Sequence, residues 1–196
     1  MNILIASNNL HKINEIKEII FNLATNSINL LSPKDLKINI VPEETGKTLY
    51  ENAQIKAISF YKIAQIPVIA DDSGLEVDAL DGLPGIHSAR FSINHDDKSN
   101  RNKLLSLLKD KTNFNAKFHT VIAYYDGNKT LFFNGECNGT IIFEERGNNG
   151  FGYDPIFIPK GYNKTFAELT ENEKNIISHR YKAIKNFCEN FINKLK

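Results

Sequence analysis

Near the middle of the chain, two runs of strand character, residues 117–125 and 129–137, flank Asp126-Gly127-Asn128. An Asp-Gly pair between such runs is a strong hairpin signal, because glycine supplies the positive φ of a tight turn between antiparallel strands. The start of the chain reads differently. Residues 2–6 form an apolar run, Ser7-Asn8-Asn9 breaks it, and Ile13, Ile16, Ile19, Ile20 and Leu23 then recur at helical spacing. Strand–loop–helix and hairpin patterns in one chain predict an α/β fold of mixed α+β character, its sheet carrying both parallel and antiparallel strands.

The remaining segments fit that class. Thr48 with Glu51 makes a capping box for a helix through Ala53, Ala57, Phe60, Tyr61 and Ala64, ending near Gln65. After Pro67, Val68-Ile69-Ala70 has the unbroken apolarity of a fully buried strand and delivers Asp71-Asp72-Ser73-Gly74 at its exit. Residues 75–90 are turn-rich, Leu104, Leu105, Leu107 and Leu108 mark another helix, and 140–144 reads as a further strand. A second capping box, Thr170 with Glu173, opens one last helix whose apolar face is Ile177, Tyr181, Ile184, Cys188, Phe191 and Leu195. No repeat or long linker interrupts residues 1–196, so a single domain is expected.

Charge narrows the function. The 24 Lys+Arg residues nearly balance the 23 Asp+Glu, which excludes the basic footprint of a protein that coats nucleic acid polymers and favours small-molecule chemistry. Cys137 and Cys188 form no CxxC pair, so neither a disulfide framework nor a thiolate zinc site is indicated. The first residues lack the charged region of an export signal, and no stretch approaches the about 20 apolar residues that span a bilayer. A soluble cytoplasmic protein with no membrane partner is the expectation.

Four groups of residues carry candidate chemistry. Ser7, Asn8, Asn9, Leu10, His11 and Lys12 bring a hydroxyl, amides and an ammonium to a helix start, which suits a phosphate chain and equally suits an ordinary N-cap. Glu43, Glu44, Asp71 and Asp72 offer the oxygen ligands that Mg²⁺ prefers, although acids before Gly74 also serve to cap a turn. Because adjacent strand residues face opposite ways, Asp71 and Asp72 cannot both aim at one metal without a bend. Phe151, Gly152, Tyr153 and Asp154 could clamp a flat heterocycle or wedge a core hairpin. Lys174, Ser178, His179 and Arg180 place donors on one or two helical turns, where they could read a carbonyl oxygen on a base or lie on a solvated edge. Gly46-Lys47-Thr48 imitates the end of a Walker A loop but has Val41 where the first glycine belongs, so a P-loop is rejected.

In order and spacing, SNNLHK at 7–12, EETGKTLYENAQIKA at 43–57, ADDSGLEVDALDGLPGIHSARF at 70–91, NGFGYDPIF at 149–157 and AELTENEKNIISHR at 167–180 resemble the inosine triphosphate pyrophosphatase family, the dITP/XTP pyrophosphatases. Ser7 replaces the Thr that usually opens the first block and keeps its hydroxyl. The resemblance implies a two-lobed fold with a long mixed sheet flanked by helices and a cleft between the lobes, usually as a homodimer. It implies Mg²⁺-dependent cleavage of ITP, dITP or XTP to the monophosphate and pyrophosphate. By matching motifs, Ser7, Asn8, Asn9, Leu10, His11, Lys12 and Lys56 hold the triphosphate. Glu43 and Asp72 bind Mg²⁺, and Asp72 also accepts a proton. Ser73 touches substrate, Phe151 stacks on the base within the segment that includes Gly152, Tyr153 and Asp154, and Lys174, His179 and Arg180 read the purine 6-oxo edge. A related pyrophosphatase with another base preference, or a purine nucleotide binder without turnover, are the alternatives.

Overall fold

A computed structural model describes residues 1–24 and 28–194. Its strands are β1 (Asn2–Ile5), β2 (Asn29–Leu31), β3 (Val68–Val77), β4 (Pro84–Gly85), β5 (Asn115–Tyr125), β6 (Thr130–Ile141) and β7 (Phe157–Pro159). The helices are α1 (Leu10–Leu23), α2 (Leu49–Ala64), α3 (Asp97–Leu108), α4 (Glu171–Asn175) and α5 (His179–Asn190). Strand order is β2-β1-β3-β5-β6-β7, with β4 added to β3. β1 pairs in parallel with β2 and β3, while β3–β4 and β6–β7 are antiparallel, so the expected mixed sheet is present.

The chain forms two compact units. The first takes Met1–Asp72, Thr120–Gly135 and the chain from Arg180 onward. Its core packs Ile13, Ile16, Ile19 and Ile20 of α1 with Ile3, Ile5 and Ile69 of the strands and with Ile184, Phe187 and Cys188 of α5. The second takes Ser73–His119 and Glu136–His179. There Leu75 and Val77, Leu104 and Leu108 of α3, Phe118, Tyr153, Phe157 and Phe166 form a separate apolar cluster.

Local chemistry explains the element ends. Asn9 caps α1, its Oδ1 accepting from the N–H groups of His11 (2.9 Å) and Lys12 (3.3 Å). Thr48 caps α2 through Glu51 N–H at 3.1 Å, but the Glu51 carboxylate accepts from Lys47 N–H at 2.6 Å, one residue before the position a capping box would use. The predicted turn forms as read, with Asp126 Oδ1 accepting from Asn128 and Lys129 N–H, both at 2.9 Å.

Three expectations are corrected. The strand after Pro67 does not end at Ala70; it runs to Val77, so the two aspartates lie inside β3 rather than at its exit. Gly74 is there for close approach, since a Cβ on it would collide with the backbone of Gly85, which pairs with the next residue, Leu75. Residues 140–144 are no separate strand, because β6 continues to Ile141. The last helix is broken: α4 stops at Asn175 and α5 starts at His179. Ile177 packs on the core of the second unit, whereas Ile184 and Cys188 are buried in that of the first, and Tyr181 and Phe191 pack against it. One straight apolar stripe does not serve both cores. Leu195 lies outside the described residues.

Candidate active site

In the first unit the loop before α1 is built largely from its own side chains. Ser7 Oγ accepts from Asn9 N–H at 3.2 Å, and Asn8 Nδ2 donates to the Ile40 carbonyl at 2.9 Å. Of the two readings of this segment, the N-cap is the one that these hydrogen bonds show. Asn9 is an ordinary N-cap, and the half-buried Lys12, on the first turn of the helix, stands at its positive end. Lys12 Nζ lies 3.0 Å from Asp71 Oδ2.

Asp71 and Asp72 take opposite partners, as strand alternation requires. Asp71 Oδ2 also receives Arg180 Nη2 at 3.3 Å, and Arg180 Nη1 reaches Glu15 Oε2 at 2.7 Å. Burial works against ionisation of Asp71, but the charges of Lys12, Arg180 and Lys56 outweigh it and hold the carboxyl well below the usual carboxylate range. Asp72 Oδ1 instead accepts from Lys56 Nζ at 2.7 Å, and Lys56 also reaches Glu44 Oε1 at 2.8 Å. Burial raises the Asp72 pKa, with Lys56 pulling it down and Glu44 adding to the rise. For Lys56, burial opposes the charged form, yet Asp72, Asp71 and Glu44 together raise its pKa, so the ammonium persists.

The buried Asp72 Oδ2 has no hydrogen-bond partner among the described residues. Such an orphaned carboxylate oxygen is costly unless a cation or proton completes it. Among the described residues no three His, Cys, Asp or Glu side chains gather as a metal cluster. This donor set fits Mg²⁺, which commonly binds through one or two carboxylates and completes its shell with water and substrate phosphate. Glu43 is exposed on the loop before α2, next to Glu44, and that loop is tied to the helix by Gly46 N–H donating to Asn52 Oδ1 at 2.8 Å.

In the second unit the glycine-rich segment folds around Asp154. Asp154 Oδ2 accepts from Phe151 N–H at 2.9 Å and from Lys174 Nζ at 2.6 Å. The Lys174 ammonium lies 5.1 Å from the centroid of the Phe151 ring and 5.5 Å from that of Phe166, within cation–π range of both. His179 stacks on Phe118 with centroids 4.6 Å apart and planes 12° from parallel, and its ring also neighbours Phe166. Ser73 is half-buried and Ser178 buried. Tyr153 is not half of an aromatic clamp. It is buried, with its hydroxyl donating to the Ser88 carbonyl at 2.9 Å, so only the half-buried Phe151 is placed to offer a ring face.

The first unit thus gathers Lys12, Lys56, Asp71, Asp72 and Arg180, and the second gathers Phe151, Asp154, Lys174 and His179. Arg180 is almost wholly buried (1 % exposed) and its guanidinium is engaged by Glu15 and Asp71, although its neighbour His179 belongs to the other set. Sequence reasoning missed Glu15, whose signal was a charge within the apolar stripe of Ile13, Ile16 and Ile19. It also missed Asp97 and Arg101 of α3, which bond Gly152, because neither stands beside a recognisable motif.

A family model described as Ham1 family matches residues 3–190. The chain is 45 % identical over 195 residues to a dITP/XTP pyrophosphatase of Aquifex aeolicus, covering 94 % of each. Among solved structures it is similar to the Staphylococcus aureus Ham1 protein, with TM-score 0.85 and 42 % identity over 97 % of this chain and 99 % of that one. A HAM1 protein from Coxiella burnetii aligns with TM-score 0.88 and 37 % identity, covering 96 % and 97 %.

Proposed function

The chain belongs to the Ham1 family, and on that premise we propose how it works. It is a nucleoside triphosphate pyrophosphatase that hydrolyses non-standard purine nucleotides, dITP, ITP and XTP, to the monophosphate and pyrophosphate. The observation that carries the division of labour is the pair of lysines, Lys12 on Asp71 and Lys56 on Asp72, held by consecutive residues of one strand.

Lys12 and Lys56 neutralise the triphosphate, with Ser7, Asn8, Asn9, Leu10 and His11 contributing the polar rim at the positive end of α1. Asp72 and Glu43 would hold Mg²⁺. When bound, the cation supplies charge neutralisation for the phosphates and the departing pyrophosphate. Asp72 Oδ2, buried and without a hydrogen-bond partner among the described residues, accepts the proton of the attacking water, and Lys56 keeps the other oxygen of that carboxylate in place. Asp71 acts through Lys12, fixing the direction of its ammonium.

Phe151 stacks on the base, and Lys174 and His179 donate toward the 6-oxo group of hypoxanthine or xanthine, with Gly152, Tyr153 and Asp154 shaping the segment. Arg180, assigned with these donors by resemblance, acts here on Asp71 and Glu15. Ser73, next to Asp72 in the chain, touches substrate. Adenine would set an amino donor against these donors, and a missed buried hydrogen bond costs about 1–3 kcal/mol. The resemblance implies a cytoplasmic homodimer as the working form, and the near balance of 24 Lys+Arg against 23 Asp+Glu favours action on free nucleotides over nucleic acid polymers. Among the described residues no helix is long and apolar enough to cross a membrane.

The test is to incubate the purified protein with Mg²⁺ and, separately, ITP, dITP, XTP, ATP, GTP and CTP, and to identify the released products. Pyrophosphate from the 6-oxo, non-standard purines with little from ATP is expected. Single phosphate as the product, or ATP consumed as fast as ITP, overturns the assignment.

A further inference from the structure

The glycine-rich segment of the second unit is held from outside by a helix to which no functional role has been given. Gly152 N–H donates to Asp97 Oδ2 at 2.7 Å, and the Gly152 carbonyl accepts from Arg101 Nη1, also at 2.7 Å. Asp97 and Arg101 stand one turn apart at the start of α3. Arg101 is fixed in turn, because its Nε and Nη2 form a fork on Glu145 Oε1 and Oε2 at 2.8 and 3.0 Å. The N–H and the carbonyl of one residue belong to successive peptide planes, so the two bonds pin both planes around Gly152. One of those planes carries the Cα of Phe151, whose own N–H is taken by Asp154.

Gly152 needs such pinning. Its φ is +63°, and among the described residues none beyond its chain neighbours has an atom within 4 Å of where a Cβ would stand, so glycine is favoured there by the backbone conformation and not by crowding. A segment with glycines at 150 and 152 has many conformations open to it; Asp154 holds it at Phe151, and the two α3 side chains hold it at Gly152. The next residue, Tyr153, is already anchored in the core through Ser88, whereas the half-buried Phe151 ring, beside the Lys174 ammonium, sits on the backbone that α3 holds.

We propose that Asp97 and Arg101 are positioning residues for base recognition: by clamping the two peptide planes of Gly152 they hold the Phe151 ring in its stacking orientation before substrate arrives. The proposal rests on the assignment of Phe151 to the base. Ordering the ring during folding removes that cost from binding, so the clamp acts on affinity and on discrimination between bases. It leaves the chemical step, which belongs to Asp72, unchanged.

Asp97 is exposed, so substituting it leaves the core intact. Asp97→Ala removes the acceptor, whereas Asp97→Asn removes the charge at the helix start but keeps an oxygen for Gly152 N–H. Steady-state kinetics with ITP and ATP, and amide hydrogen exchange at residues 150–153, are measured for both variants and the wild type. For Asp97→Ala we expect KM for ITP to rise about tenfold, equivalent to about 1.4 kcal/mol, with kcat within about twofold. The ITP-to-ATP ratio of kcat/KM falls accordingly, and the Gly152 amide exchanges faster. Asp97→Asn restores both KM and protection. Unchanged KM or unchanged exchange in Asp97→Ala overturns the proposal, as does Asp97→Asn behaving like Asp97→Ala, which would leave only a helix-end charge effect. Wild-type protein that releases no pyrophosphate from ITP overturns the function assigned above, while the exchange measurement, which needs no turnover, still decides the clamp.

Discussion

Asp71 and Asp72 are consecutive on β3 yet bind different lysines, Lys12 at 3.0 Å and Lys56 at 2.7 Å. The pleat turns the two carboxylates to opposite faces, where Lys12 of α1 meets one and Lys56 of α2 the other, and this separates a carboxylate paired with Lys12 and Arg180 from one that keeps an unpartnered oxygen among the described residues.

Replacing Asp72 by Asn removes the charge that accepts a proton and faces the cation, while keeping size and the strand. Turnover of ITP is expected to fall by about 10²–10⁴-fold, the usual worth of general acid–base catalysis. The thermal unfolding midpoint stays within a few degrees of wild type. Pyrophosphate release assays read the first quantity and a melting curve the second; turnover near the wild-type rate would take Asp72 out of its role.

Arg180→Met tests the buried network rather than the chemistry. Losing the guanidinium leaves Glu15 and Asp71 without their shared partner in a dry environment, and breaking a buried pair in this way costs about 3–5 kcal/mol. Urea unfolding should show the loss. A stability equal to wild type would mean that Glu15 and Asp71 are satisfied without Arg180.

Acid should expose Asp71. Its carboxyl is held below the ordinary value of 3.8, so the folded state binds this proton less readily than the unfolded chain does. The stabilisation is complete above that value and is lost as pH falls through it toward the folded pKa, at up to about 1.4 kcal/mol per pH unit. Denaturant unfolding at pH 5, 4 and 3 should therefore give a shallower decline for Asp71→Asn than for wild type below pH 4; equal slopes would show that Asp71 titrates normally in the fold.

Gly74→Ala should destabilise the protein by about 1–3 kcal/mol, the usual range for overpacking. The added methyl would stand 2.8 Å from the carbonyl carbon of Gly85 and closer still to its oxygen, both backbone atoms that cannot swing aside. A melting temperature unchanged from wild type would mean that β4 yields easily, and that the glycine serves another need.

Much of the framework was legible because it depends on local rules. The periodicity of Ile13, Ile16, Ile19 and Ile20 marked α1, the Asp126 turn marked the hairpin, and Thr170 with Glu173 formed the capping box it announced. The errors arose where a distant segment intervened. β3 extends past Ala70 because Gly85 pairs beside Leu75, and the last helix breaks where its residues leave one core and enter the other. Tyr153 reads like Phe151 in sequence, and packing separates them: Tyr153 lies in the apolar core of the second unit with its hydroxyl on the Ser88 carbonyl, whereas Phe151 is half-buried.

What the sequence determined by itself was the kind of sheet, the family blocks and the identity of the charged side chains, all properties of residue type and short spacing. Only the tertiary structure decided which polar group meets which: Glu15 with Arg180, Lys56 with Glu44, Asp97 with the Gly152 N–H. Those pairs join residues from separate segments, and their geometry is set by how the elements pack. A pattern of neighbours along the chain carries no information about that packing, and the environment of each carboxylate follows from it.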